Sequence, residues 1–192
     1  MNITVYCGAH HAKDPEFNKR AAELGSWMAE NGCRLVYGGG SVGTMGVIAD
    51  AVLSGGGEVT GVTPEFFITA GEIDERLTET IVVPNMSVRR SKMIELGDAY
   101  IALPGGTGTI DEITEVISDK RLGQLGSVNK PVIIYNINGY YDLFVKFMDK
   151  MIEEGLYEPE NRSQIDIVTN IQELAEALSH AGEPVKKSLY NN

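Results

Sequence analysis

Short apolar runs alternate with longer stretches of amphipathic spacing along nearly the whole chain. The runs Ile3–Cys7, Arg34–Tyr37, Glu58–Val62, Glu79–Val83, Ala99–Leu103 and Pro131–Tyr135, with a weaker Gln164–Val168, read as strands, and most of them are continuous and apolar without polar alternation. Strands of this kind belong to a sheet that helices cover on both faces. Between them, Asp14 to Asn31 carries Ala21, Leu24 and Met28 at spacings of three and four and stops at Gly32, which predicts a helix. Further helices are predicted over Gly43–Ser54, Ser87–Gly97, Thr109–Leu122, Tyr141–Glu154 and Ile171–Ala181, the last capped by Asn170 with Glu173 three residues on.

This alternation predicts an α/β fold of the Rossmann-like kind: an open, mostly parallel sheet with helices on both faces. The stretch Thr63 to Thr78 breaks the pattern and reads as a broken helix or an excursion over an edge. Phe66 and Phe67 are adjacent there and cannot both face one core, so either one of them lines a pocket or subunit contact, or both pack within the loop.

At 192 residues and 20.9 kDa the chain has the length of one domain, taken as residues 1–182, followed by a short polar tail, 183–192, expected to be flexible. Its 27 acidic against 16 basic residues give a net charge of -11, which repels phosphodiester backbones and anionic lipid surfaces. Nucleic-acid and membrane partners are therefore not expected. The opening MNITVYCGAH reads as a strand and not as an export signal, and no apolar run reaches the length of a membrane span. Cys7 and Cys33 each adjoin or lie in a strand and read as reduced, buried residues, so a cytoplasmic location is expected.

Two glycine clusters carry the candidate chemistry. Gly38-Gly39-Gly40-Ser41-Val42-Gly43-Thr44-Met45-Gly46 joins a strand to a helix. The spacing of Gly38, Gly40 and Gly43 imitates a dinucleotide fingerprint. It follows the second strand, however, and no acidic residue ends the next strand, so a mononucleotide or other small ligand fits better. Pro104-Gly105-Gly106-Thr107-Gly108-Thr109 follows the strand Ala99–Leu103 and opens a helix, which brings backbone N–H groups, hydroxyls and the positive end of the helix dipole to one point. This is an anion site. It lacks the Lys-Ser/Thr pair of a triphosphate loop, so a monophosphate is expected.

Glu112 lies a few residues into that helix, with Glu115 and Asp119 on the same stripe. Arg89, Arg90 and Lys92 open the helix after Glu79–Val83, at the same carboxyl-end edge where ligands of open α/β sheets bind. Neighbours on a helix point about 100° apart, so Arg89 and Arg90 cannot share one cleft, and one of them is expected to pair on the surface.

The segments Gly38–Gly46, Met86/Arg89/Met93 and Pro104–Glu112, which read GGGxxGxMG, MxxRxxxM and PGGxGTxxE, together resemble the LOG ("Lonely guy") family from the first strand to about Ala181. Its members, long labelled lysine decarboxylases, hydrolyse the N-glycosidic bond of cytokinin riboside monophosphates or AMP. The resemblance implies that Arg89 and Glu112 are catalytic and that Gly105, Gly106, Thr107, Gly108 and Thr109 bind phosphate. It also implies that Gly8, Gly39, Gly40, Met86, Arg90 and Glu115 contact the substrate, a nucleoside 5'-monophosphate, in a homodimer that can assemble further. A non-catalytic nucleotide-binding or carrier module using the same glycine clusters is the alternative.

The chain departs from the family pattern at Gly8-Ala9-His10, where Gly-Ser-Ser is usual, at Arg90, where lysine is usual, and at Ser118–Gly123 with the extra Gln124-Leu125-Gly126. These departures bear on base preference more than on reaction type. His10, His11 and His180 show no metal-ligand spacing, so neither metal nor cofactor is expected. Lys92, the only lysine expected near the site, starts a polar helix and does not suit a pyridoxal Schiff base. Ile113, Val116, Ile117, Leu122 and Leu125 exceed one buried stripe and predict an apolar patch covered by a second subunit.

Overall fold

The structure is a computed structural model and describes residues 1–184. The chain runs β1 (Asn2–Tyr6), α1 (Pro15–Glu30), β2 (Arg34–Tyr37), α2 (Gly43–Ser54), β3 (Val59–Pro64), α3 (Glu65–Thr69), β4 (Glu79–Val83) and α4 (Met86–Leu96). It continues β5 (Ala99–Ala102), α5 (Thr107–Arg121), β6 (Val132–Tyr135), a 3₁₀ turn (Ile137–Gly139), α6 (Asp142–Glu153), α7 (Pro159–Arg162), β7 (Ile165–Val168) and α8 (Ile171–Ser179). The seven strands form one parallel sheet in the order β4-β3-β2-β1-β5-β6-β7. The order reverses at β1, which pairs with β2 on one side and β5 on the other, so the loops after these strands diverge and open a crevice at their carboxyl ends.

Side chains along each strand alternate between two cores. Ile3 and Val5 face one together with Leu24 and Met28 of α1, Ile48 and Val52 of α2, and Leu174 of α8. Tyr6, Val36, Tyr100, Val132 and Ile134 face the other, with Met93 of α4, Ile113 and Val116 of α5 and Met148 of α6. The sheet is therefore covered on both sides, which is why its strands read as unbroken apolar runs.

The stretch after β3 is an excursion. It makes the short helix α3 and then turns back so that Ile73 bridges Gly40 antiparallel and the Asp74 N–H donates to the Gly39 carbonyl at 2.8 Å. Asp74 is buried and takes a 2.9 Å bond from Nε and a 2.6 Å bond from Nη2 of Arg76, which hold its carboxyl below the usual range.

One expectation fails here. Ile113, Val116, Ile117 and Leu125 belong to the chain's own second core, and Leu125 is 9% exposed. Gly123 and Gly126 take left-handed φ values of 69° and 106°, which turn the chain back and return Leu125 to the core. Of the predicted patch only Leu122 is exposed. At the end of the described chain, Asn129 N–H donates to the Glu183 carbonyl at 2.7 Å and Pro184 bridges Val128. The rest of the tail assigned to 183–192, including Lys186 and Lys187, lies outside the described residues.

Candidate active site

α5 starts at Thr107, two residues earlier than its apolar pattern predicts, with Gly106 as a cap that supplies no side-chain acceptor. The first N–H groups of the helix therefore have no partner of their own, and they open toward the crevice. The turn before them is braced from two sides. The Gly8 N–H donates to the Pro104 carbonyl at 3.3 Å, and the Tyr140 hydroxyl donates to the Gly105 carbonyl at 2.5 Å.

The first glycine cluster builds the opposite wall. Gly43 has φ 68°, and a β-carbon there would stand 2.7 Å from the backbone of Ala9 and His10, so the start of α2 and the loop after β1 pack backbone to backbone. The Met45 N–H completes this contact on the Gly8 carbonyl at 3.3 Å.

Arg89 and Glu112 meet between these walls. Arg89 extends from α4 with Nε on the Val62 carbonyl at 3.0 Å and Nη1 on Glu112 Oε1 at 3.1 Å. The two side chains are 11% and 9% exposed. Gly38 is required by this arrangement, because a β-carbon at that position would collide with Nη2 of Arg89. Burial raises the Glu112 pKa; the Arg89 charge opposes the rise without cancelling it. Beneath the pair, burial also pushes the Cys7 thiol up, so it stays protonated.

Arg90 turns the other way, as helical geometry requires. Its Nε binds Glu115 Oε2 at 2.6 Å and its Nη1 binds Asp111 Oδ2 at 3.2 Å. Two neighbouring arginines of α4 thus join three acidic positions of α5, Arg89 with Glu112 inside the crevice and Arg90 with Asp111 and Glu115 at its rim.

The resulting cavity has a volume of about 930 Å³. Gly8, Gly40, Met86, Arg89, Arg90, Glu112 and all five residues of the Gly105–Thr109 turn line it. Gly39 and Glu115 do not: Gly39 faces Gly61, Thr63 and Ile73, and Glu115 is turned to Arg90. His10 and His11 are on the wall, as is Phe67, while Phe66 is exposed. Lys92 pairs with Glu95 at 2.9 Å outside the cavity, and the lysine on the wall is Lys13, an exposed residue unlike the desolvated amine of a Schiff-base site.

Sequence reasoning missed Tyr140, Glu72 and Lys13. Tyr140 and Lys13 follow parallel strands on the carboxyl edge, a position that signals a site. Glu72 comes into reach through the bridge of Ile73 to Gly40, which has no local signature. Among the described residues, no group of three or more His, Cys, Asp and Glu is placed to hold a metal, and no helix is long and apolar enough to cross a membrane.

Residues 45–178 match the family model described as possible lysine decarboxylase. A cytokinin riboside 5'-monophosphate phosphoribohydrolase of Arabidopsis thaliana is 40% identical over 176 residues, which cover 92% of this chain and 80% of that one. A second protein of that name from the same plant is 38% identical, with the same shares covered. Among solved structures, the molybdenum cofactor binding protein of Rippkaea orientalis superposes with a TM-score of 0.69 at 21% identity, covering 93% of this chain and 94% of that one. The molybdenum cofactor carrier protein of Chlamydomonas reinhardtii gives 0.68 at 23%, covering 93% and 95%. The likeness to these two is one of fold. With its three motifs gathered in one cavity and this identity along nearly its whole length, the chain belongs to the cytokinin riboside 5'-monophosphate phosphoribohydrolase family.

Proposed function

We propose that the protein hydrolyses the N-glycosidic bond of AMP or an N6-modified AMP to free base and ribose 5-phosphate. The observation that carries this reading is the buried Arg89–Glu112 pair, set between an uncapped helix start and a glycine wall. The N–H groups of Thr107, Gly108 and Thr109, with the Thr107 and Thr109 hydroxyls, bind the 5'-phosphate. Arg89 holds the ribose so that C1' lies against Glu112.

As the C1'–N bond breaks, its electron pair leaves with the base, which takes up a proton, and positive charge grows on the ribose. The Glu112 carboxylate stabilises that charge. It also orients water, whose oxygen bonds to C1' while one of its protons passes to the carboxylate and on to solvent; solvent supplies the proton that the base takes up, and the carboxylate is restored. The cavity falls within the size range of sites that enclose whole small ligands, with room for a base substituent.

Incubation with AMP and with N6-isopentenyl-AMP, followed by chromatography for free base and ribose 5-phosphate, tests the reading. Tight binding without release of base would support the carrier alternative instead. A cytoplasmic location is supported by the two unpaired, buried cysteines. A homodimer is supported by Leu143 and Phe147, four residues apart on α6 and 79% and 58% exposed, an apolar stripe that no described residue covers.

A further inference from the structure

The loops that line the cavity differ in chemistry. After β5 lies the uncapped start of α5, and the loop after β1 adds His10, His11 and Lys13 to the wall. The segments after β2, β3 and β4 supply Met45, Thr63, Phe67 and Met86, which are apolar or neutral, together with one acid, Glu72. Three carboxylates line the whole cavity. Glu112 is paired with Arg89 and Asp111 with Arg90, whereas that of Glu72 has neither an ion pair nor a hydrogen bond among the described residues.

The backbone around Glu72 is held firmly for an irregular segment. Its own N–H donates to the Phe67 carbonyl at 3.1 Å, Ile73 bridges Gly40, and the Asp74 N–H is fixed on the Gly39 carbonyl at 2.8 Å. An exposed acid without an ion pair or side-chain hydrogen bond among the described residues is thus kept on the cavity wall beside Gly40.

A nucleotide whose phosphate sits on α5 and whose C1' sits at Glu112 lays its base toward this wall, between Met45, Met86 and Phe67. A carboxylate there accepts hydrogen bonds and donates none. We propose that Glu72 reads position 6 of the base from its N7 side, accepting a hydrogen bond from the 6-amino group and so selecting 6-aminopurine nucleotides over 6-oxopurine nucleotides. N6-monosubstituted adenines retain one N–H and satisfy it. On that side a 6-oxopurine presents only the acceptors O6 and N7, since its N1–H is on the other edge, and the carboxylate is left without a donor. This inference rests on the nucleotide pose given under Proposed function.

The test compares AMP with IMP for wild type, Glu72→Gln and Glu72→Ala, reading kcat/KM by base release. Dissociation constants for the same two nucleotides are read in a Glu112→Gln background, with and without Glu72→Gln, and melting temperatures verify folding. Wild type should favour AMP. Glu72→Gln, whose amide donates to a 6-oxo group, should lower the AMP-to-IMP ratio at least about tenfold, and Glu72→Ala should lower it without improving IMP. An unchanged ratio in folded Glu72→Gln, or a wild type indifferent to the two nucleotides or binding neither, overturns the proposal. Discrimination in binding with no base release from either would count against the hydrolase reading and leave Glu72 standing.

Discussion

Gly38 and Arg89 occupy the same space in turn: the guanidinium of Arg89 lies where a β-carbon on residue 38 would project. The first glycine cluster therefore serves the arginine as well as the ligand. Gly38→Ala should push Nη2 away from its seat and misplace Arg89 against Glu112, costing roughly 10²-fold in kcat/KM while the fold persists. Circular dichroism and a melting curve verify the fold; turnover near that of wild type would show that Arg89 accommodates the methyl group freely.

Glu112→Gln keeps the shape of the side chain and removes the charge. It should lower kcat by at least about 10²-fold with nucleotide binding largely intact, the scale of a positioned acid or base. Steady-state kinetics beside calorimetric binding checks this, and a variant that turns over normally removes Glu112 from the chemistry.

The pH profile follows from the same carboxyl. In the proposed reaction Glu112 acts ionised, and burial raises its pKa, so the acidic limb of kcat/KM should lie above the ordinary carboxylate range. Arg89 lowers that pKa, so Arg89→Met should move the limb further up while it reduces the rate. A limb that stays in place in Arg89→Met would mean another group titrates.

Arg89 and Arg90 should respond differently. Arg89→Ala removes charge-assisted bonds inside the cavity, a loss of about 1.5–3 kcal/mol in kcat/KM for a 5'-monophosphate. Arg90→Ala breaks a pair at the rim, with Arg90 26% and Glu115 35% exposed, and should cost less. Adenosine, lacking the phosphate, should be a poor substrate beside AMP for the wild type. Equal rates on the two would move the phosphate site elsewhere.

Assembly is best tested on α6. Leu143→Asp should weaken a dimer in light scattering and leave the melting temperature of the chain nearly unchanged, since that side chain touches little of its own subunit. Leu125→Asp should instead destabilise the fold by about 2–4 kcal/mol, because it places an unpaired charge in the second core. A monodisperse monomer in the wild type would refute the dimer.

The sheet and its helices were legible because burial on both faces leaves a strong signal: apolar runs of strand length between residues spaced three and four apart. The motif residues Arg89, Glu112 and Gly105–Thr109 were legible for a related reason, since a parallel sheet brings the ends of all its strands to one edge. What stayed hidden depended on pairing across the chain. Nothing local distinguishes Arg89, which faces inward, from Arg90, which is tied to Glu115, until α4 lies beside α5. Leu125 looked exposed because its burial depends on two left-handed glycines after the helix, and Glu72 looked like any loop acid because its place is set by Gly40 in a different loop.

The two cores hold different parts of this cavity. Arg89 and Glu112 stand on α4 and α5, which pack on one face of the sheet, whereas Met45 comes from α2 on the other face, and Phe67 and Glu72 come from the excursion after β3. A substitution deep among Leu24, Ile48 and Val52 can tilt α2 and reshape the base end without displacing the arginine or its glutamate. The sheet thus acts as a partition: the pair proposed to break the bond is inherited through one face, and on that reading drift in the other can retune which nucleotide reaches it.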